Sequence, residues 1–176
     1  MGKLISSTAV TVDGVMDVGE WFVAEGDRVD ASRAQFDDAV MVMGRKTYEG
    51  LAGHWPTVEG PWADKLNPMP KYVASRTQKG PLEWNSALLE GESAEAVTRL
   101  KDELDGNLIL VGTGELARHL PRAGVVDELR FWVHPSLWGK GERPFNGEET
   151  VRLNLLEAKP FESGVLLLRY EAAAVG

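Results

Sequence analysis

The residues best placed to do chemistry fall in three short segments: MVMGRKTYEG (Met41–Gly50), KYVASRTQKG (Lys71–Gly80) and LILVGTGELARHL (Leu108–Leu120). In the first and third, a short run that is apolar on both faces meets a glycine and passes straight into a helix-forming stretch. Such runs read as buried strands of a parallel sheet, so each glycine turn lies beyond the carboxyl end of a strand, where α/β folds hold ligands. The first-turn N–H groups of the following helix lack intrahelical acceptors, and the helix dipole favours an anion beside them. Glycine lets a phosphate approach the backbone because no Cβ intervenes. In the second segment Ser75, Arg76 and Thr77 offer two hydroxyls and a guanidinium at a strand end, a cradle suited to a monophosphate.

Taken singly, these signals are weak. A glycine at a strand end is more often plain geometry, and Ser75–Thr77 alone reads as a solvated loop. Neither turn is a GxGxxG fingerprint or a P-loop. Two such turns in one small sheet, one of them carrying Arg45, Lys46 and Thr47, shift the reading toward a ligand with several phosphates.

The elements that must position these turns follow from patterning. Leu4–Val12 reads as a first strand closed by Asp13-Gly14. Asp30 is expected to cap a helix running toward Asp38, followed by the strand Ala39–Met43 and a helix Arg45–Leu51 that ends at Gly53. GHWPTVEGPW reads as a loop, with strands at Lys71–Ala74 and Trp84–Leu89 after it. Ser93 is expected to cap a helix whose Val97, Leu100 and Leu104 share one face, and Asn107–Val111 and Glu115–Leu120 form the second buried strand and its helix. Strands are expected through Leu129, Phe131 and Val133, through Val151, Leu153 and Leu155, and over Val165–Tyr170. Repeated βα followed by β-β-β predicts an α/β fold, a mixed and mostly parallel sheet flanked by helices, with antiparallel strands at its C-terminal edge.

Composition excludes several classes. The 176 residues suit one domain, and no apolar run is long enough to span a bilayer. The first residues turn polar before an export segment could form, which predicts a cytoplasmic location. The chain has no cysteine, so thiolate nucleophiles, disulfides and cysteine-ligated metals are out. A formal charge of −8, from 27 acidic residues against 19 Lys and Arg, argues against nucleic acid as a partner. It does not argue against a phosphorylated small molecule, which a few local arginines can hold.

STAVTVDG, MGRKTYEG, PKYVASRT, LILVGTGEL and VVDELRFWVHPSLWGKGERPF, in that order from Ser7 to Phe145, resemble the dihydrofolate-reductase-like superfamily. Within it they are most similar to the reductase domain of the bifunctional riboflavin-biosynthesis deaminase–reductase and its stand-alone bacterial relatives. MGRKTYEG and the late V-D-E-L…P…G-K-G…F pattern are the most specific. The resemblance implies a single three-layer domain over residues 1–176, NADPH as cofactor and a small-molecule substrate, and it admits a homodimer. By the same resemblance Gly44, Arg45, Lys46 and Thr47 would meet the pyrophosphate and the 2′-phosphate side, and Ser75, Arg76 and Thr77 the adenosine ribose phosphate. Gly112, Thr113, Gly114, Glu115 and Leu116 would form the second phosphate turn. Ala9 and Val10 would lie beside the nicotinamide, Asp13-Gly14 would open a loop over it, and Pro135–Gly141 would border the substrate.

The departures bound what carries over. Dihydrofolate reductases grip and help protonate the pterin with an acid on the first helix. The corresponding stretch offers Asp27 and Asp30, for each of which a helix cap or solvated carboxylate is the competing role. Asp27, Trp55 and Trp138 are the candidate substrate contacts, and no catalytic residue is assigned. Deaminase chemistry needs a PCxxC run, which is missing. His54, His119 and His134 share no metal-ligand spacing, so no metal site is expected. His134, at a strand end before Pro135, either donates a proton to substrate or simply bonds backbone, the second being the better expectation. Trp62 and Trp132 fall in segments that could border a cleft, whereas Trp21 and Trp84 equally fit a core or an interface.

The expected activity is transfer of a hydride from NADPH to a C=N or C=O carbon of a small heteroaromatic, pterin- or pyrimidine-like, molecule. The alternatives are a non-catalytic dinucleotide-binding or regulatory domain, and a structural homo-oligomer with a vestigial pocket.

Overall fold

In the computed structural model, which describes residues 2–144 and 150–172, eight strands form one sheet; Phe145, the last residue of the similar segments, lies outside the described residues. The chain runs β1 (Leu4–Thr11), α1 (Arg28–Ala34), β2 (Ala39–Gly44), α2 (Arg45–His54), a 3-10 turn (Trp55–Thr57), α3 (Pro61–Leu66) and β3 (Lys71–Ala74). It continues through β4 (Ser86–Leu88), α4 (Ser93–Glu103), β5 (Asn107–Val111), α5 (Glu115–Arg122), β6 (Glu128–His134), β7 (Leu153–Pro160) and β8 (Leu166–Ala172). The strand order is β4-β3-β2-β5-β1-β6-β8-β7. Every pair from β4 to β6 is parallel, and only β6–β8 and β8–β7 are antiparallel. β5 returns between β2 and β1, which brings the C-terminal ends of β2 and β5 side by side.

Alternation along β2 and β5 sets the layers. Val40, Val42, Leu108 and Leu110 pack on one face against Val97 and Leu100 of α4 and Leu120 of α5. Met41, Met43 and Ile109 pack on the other against Tyr48 of α2 and Leu66 of α3. Both faces being covered is why these strands read as unbroken apolar runs, and each such side chain contributes about 2 kcal/mol. Trp132, Val165 and Leu167 form a smaller cluster under Ala31 of α1, with Ala9 and Val23 against it.

Four local expectations need correction. The N-cap of α1 is Asp27, not Asp30, which lies inside the first turn and pairs with Arg33 at 2.5 Å. α4 is capped by Glu92 rather than Ser93: its carboxylate accepts the Ala94 and Glu95 amides at 2.8 and 3.1 Å, and the Ser93 hydroxyl donates to it as well. The Gly-Pro-Trp stretch is not a plain loop. α2 continues through Gly53, Pro56 sits in the 3-10 turn, and Pro61 opens α3 at the position where its missing N–H costs nothing. The strand expected from Val151 begins at Leu153 and is the outermost, so Leu155 and Leu156 are exposed, with a bulge before Glu157.

The turn after β1 is tied to the segment after β6. Asp13 accepts the Thr11 hydroxyl at 2.6 Å and the amides of Trp138 and Gly139 at 3.0 and 2.7 Å. Asp17 accepts the Glu142 amide at 2.8 Å, and Arg118 of α5 pairs with the Glu142 carboxylate. The Thr11 hydroxyl, then the two amides, pull the Asp13 carboxyl down to about 2. A depressed acid contributes above its unfolded value and loses that contribution as pH falls through its folded one. Asp13→Ala should raise hydrogen exchange at the Trp138 and Gly139 amides about 10-fold or more, while the wild type keeps their protection until pH approaches 2. Unchanged exchange in the variant would mean that other contacts hold the segment.

Candidate functional site

The β2–α2 and β5–α5 turns interlock. Gly112 has φ +106, and a Cβ added there would meet Thr47 Oγ1 at 2.3 Å, so the Thr47 side chain occupies the space beside this glycine. A Cβ on Gly44 would stand 3.8 Å from that of Leu116. Each helix begins directly after its glycine turn, with Gly44 and Gly114 as N-caps that carry no side-chain acceptor. α4 is capped by a carboxylate, but α2 and α5 present uncapped first turns to the same space. A Cβ on Gly114 would meet nothing within 4 Å, so that turn faces open space.

That space is a cleft of about 500 Å³. Gly44, Arg45 and Lys46, Ser75, Arg76 and Thr77, and Glu115 and Leu116 line it, brought from three separate segments. Ser75 Oγ accepts the Gln78 amide at 2.8 Å and the Thr77 amide at 3.2 Å, which bends the chain after β3 around the cleft. Arg45 pairs with Glu49 at 2.8 Å one helical turn on. Arg76 pairs with Glu115 at 3.3 Å, but with side chains 88% and 83% exposed this pair is weak and yields readily to a stronger anion. Thr47 and Gly112 shape the wall from within, and Thr113 lies on the far side of Gly112, against Met16 and Thr8.

The other end is built differently. Ala9 and Val10 stand outside the cleft wall, one strand beyond β5, and point to opposite faces of the sheet, so only their backbone is common to one ligand. Met16 lines, with Ser6 and Thr8 of β1, Leu129 and Phe131 of β6 and the Gly112-Thr113 turn, a void of about 10 Å³, room for one water. Asp27 spends its carboxylate on the Glu162 and Ser163 amides at 2.6 and 3.2 Å. Trp55 packs beside Trp62, with ring centroids 6.5 Å apart, against the cluster that holds Met41, Met43 and Leu66. Trp138 lies near Gly19 with Lys140 over its ring. Of the expected phosphate residues the cleft thus collects Gly44, Arg45, Lys46, Ser75, Arg76, Thr77, Glu115 and Leu116, while Thr113 lies outside it, and none of Asp27, Trp55 and Trp138 lines it.

Residues 2–167 match the RibD C-terminal domain family. The chain belongs to that family. The uncharacterized protein YyaP of Bacillus subtilis (strain 168) is 27% identical, covering 96% of this chain and 94% of its own length. A protein from Shewanella sp. PV-4, provisionally assigned to riboflavin biosynthesis, superposes with a TM-score of 0.78 at 18% identity, covering 99% and 100% of the two chains. Dihydrofolate reductase from Enterococcus faecalis, in complex with NADP(H) and RAB-propyl, superposes with a TM-score of 0.67 at 17% identity, covering 98% of each. The fold is thus the dihydrofolate-reductase-like one.

In this RibD C-terminal domain, sequence reading missed part of the cleft wall. Glu92, Ser93 and His119 line it too, with His119 Nε2 3.2 Å from Glu92 Oε1. His119 lies one helical turn after Glu115, so the α5 pattern places both on one side; Glu92 carries no comparable signal, because glutamate is not among the favoured N-caps. Arg28 and Ser32, buried on α1, were also missed.

Proposed function

We propose that the chain is an NADPH-dependent reductase passing a hydride to a C=N or C=O carbon of a small heteroaromatic, pterin- or pyrimidine-like, substrate. The observation that carries this reading is the interlock of two uncapped helix N-termini around Gly112 and Thr47, facing one cleft that holds Arg45, Lys46 and Arg76. The first-turn amides of α2 and α5 would take the pyrophosphate, and Arg76 with the Ser75–Thr77 bend the 2′-phosphate. Family membership supports the same reading. The bound cofactor supplies the hydride. The chain's own residues would bind and orient it: the Gly112 turn would set the depth of the cofactor, and β1 would offer backbone beside its reactive end. With Asp27 committed to the 162–163 amides, the proton would come from ordered water.

A titration of tryptophan fluorescence with NADPH and NADH tests this. NADPH should bind at least about 10-fold more tightly, and Arg76→Ala should remove most of that preference, as expected for one charge-assisted phosphate contact. Binding of neither nucleotide would overturn the reading. A non-catalytic nucleotide-binding domain is the second reading, favoured by the engagement of Asp27. It predicts the same binding with no substrate-dependent oxidation of NADPH across pterins and pyrimidines.

A further inference from the structure

Two carboxylates line the cleft among the described residues, Glu92 and Glu115, and they differ in what holds them. Glu92 is fully engaged. Its Oε2 accepts the Ala94 and Glu95 amides at 2.8 and 3.1 Å, and its Oε1 meets the Ser93 hydroxyl at 3.1 Å and His119 Nε2 at 3.2 Å. Glu115 has a single partner among the described residues, Arg76, whose Nη2 stands 3.3 Å from Oε2. The basic residues one turn further along α5 are engaged elsewhere, Arg118 with Glu142 and His119 with Glu92, and Arg45 pairs with Glu49.

The Arg76–Glu115 pair joins the two walls of the cleft. Arg76 follows β3, and Glu115 opens α5, 39 residues later. It therefore lies between the Ser75–Thr77 bend, assigned above to the 2′-phosphate, and the first turn of α5, assigned to the pyrophosphate. That is where the adenosine ribose would sit. Both side chains are more than four-fifths exposed, so each can change partner at little cost.

The two groups make opposite demands on the ribose. A guanidinium binds a phosphate, whereas a carboxylate accepts a hydroxyl and repels a phosphate. In dinucleotide sites an acidic residue takes the 2′-hydroxyl of NAD, and an arginine accommodates the 2′-phosphate of NADP. Here one ion pair contains both. A 2′-phosphate must draw Arg76 away from Glu115 and then lie beside the released carboxylate. A 2′-hydroxyl can donate to Glu115 with the pair intact, because an ionised carboxylate offers about four lone-pair sites.

We infer that Glu115 is a specificity-determining residue that holds down the preference for NADPH and lets the same cleft take NADH as the weaker cofactor. The inference rests on the reductase reading for the identity of the dinucleotide.

The full chain and its Glu115→Gln, Arg76→Ala and doubly substituted forms are titrated by calorimetry with NADPH, NADH, 2′,5′-ADP and 5′-AMP. Glu115→Gln keeps the shape and removes the charge. It should tighten NADPH and 2′,5′-ADP by about 3-fold or more and weaken NADH and 5′-AMP by a similar factor, so that the ratio of the two dinucleotide affinities rises about 10-fold. In the Arg76→Ala background the same exchange should move NADPH affinity by less than about 2-fold, since no guanidinium is left to release. An unchanged ratio in Glu115→Gln, or a gain for NADPH that persists undiminished without Arg76, overturns the inference. If the two adenosine phosphates shift as expected while neither dinucleotide binds, the reductase reading falls and the role of Glu115 at the 2′ position stands. If none of the four compounds binds, both fall.

Discussion

Gly112→Ala should lower stability by about 2–3 kcal/mol and weaken NADPH binding by about 100-fold, whereas Gly114→Ala, two residues on, should melt within about 0.5 kcal/mol of the wild type. The two glycines sit in one turn but answer to different constraints. At Gly112 the backbone is left-handed, φ +106, and the added carbon would meet Thr47 Oγ1 at 2.3 Å, Cγ2 at 3.0 Å and Cβ at 3.1 Å. Turning Thr47 about χ1 does not relieve the contact fully, because its Cβ, which that rotation leaves in place, is itself 3.1 Å from the added carbon. The strain must pass into the backbone of the β5–α5 turn or push α2 away, and either movement spreads the two helix N-termini that would share the pyrophosphate. At Gly114 the backbone has φ −83, and nothing stands within 4 Å of an added carbon. Adding Thr47→Ala to Gly112→Ala removes the closest contact and should restore part of the stability, leaving the cost of a left-handed alanine, about 1 kcal/mol. Urea melts of the wild type and the three variants decide it. A Gly112→Ala protein as stable as the wild type would show that the two turns are not packed as described.

What the sequence made legible was what depends on neighbours along the chain. Ala39–Met43 and Asn107–Val111 were readable as central parallel strands because residues apolar on both faces fit a strand covered on both sides. The glycine turns with Arg45 and Lys46 were readable because strand, glycine and helix follow one another directly, and Arg76 because it stands between two hydroxyl residues at a strand end. Their common cleft was not, since it needs β5 to return between β2 and β1. Glu92 escaped notice because glutamate caps α4 in place of the expected serine beside it. Arg28 and His134 were the least legible. They meet through Phe22 and Val23, and the Val23–His134 bond joins residues 111 apart in sequence. An arginine on a short helix reads as solvated until the chain ahead of it is folded over its side chain.

Glu128→Ala should cost about 3–5 kcal/mol and be the most damaging change away from the cleft. Glu128 is 3% exposed at the start of β6 and accepts Arg130 Nε at 2.6 Å and Arg169 Nε and Nη2 at 2.7 and 3.0 Å. Arg130 and Arg169 stand directly opposite in the β6–β8 register, so without this carboxylate two guanidiniums face each other across the ladder. Glu157 of β7 also accepts from Arg169 at 2.9 Å but, on the outer strand, cannot neutralise Arg130 as well. Burial by itself raises the Glu128 carboxyl, but the hydrogen bonds and charges of Arg169 and Arg130 outweigh it and hold the group below its ordinary 4.5, while Arg169 is correspondingly raised. The contribution is therefore complete above pH 4.5 and is lost as pH falls through the lower folded value. Acid titration of the wild type should show stability falling below pH 4.5, and the Glu128→Gln protein should lack that component of the fall. Because the cluster holds β6 to β8 and β7, its loss should loosen the edge that ends in His134 before it disturbs the β2 and β5 turns. Hydrogen exchange would then rise first in β6 and β8, with NADPH affinity in the surviving folded fraction unchanged. An equal rise across all eight strands would mean that the sheet opens as one unit and that Glu128 stabilises the whole rather than its edge.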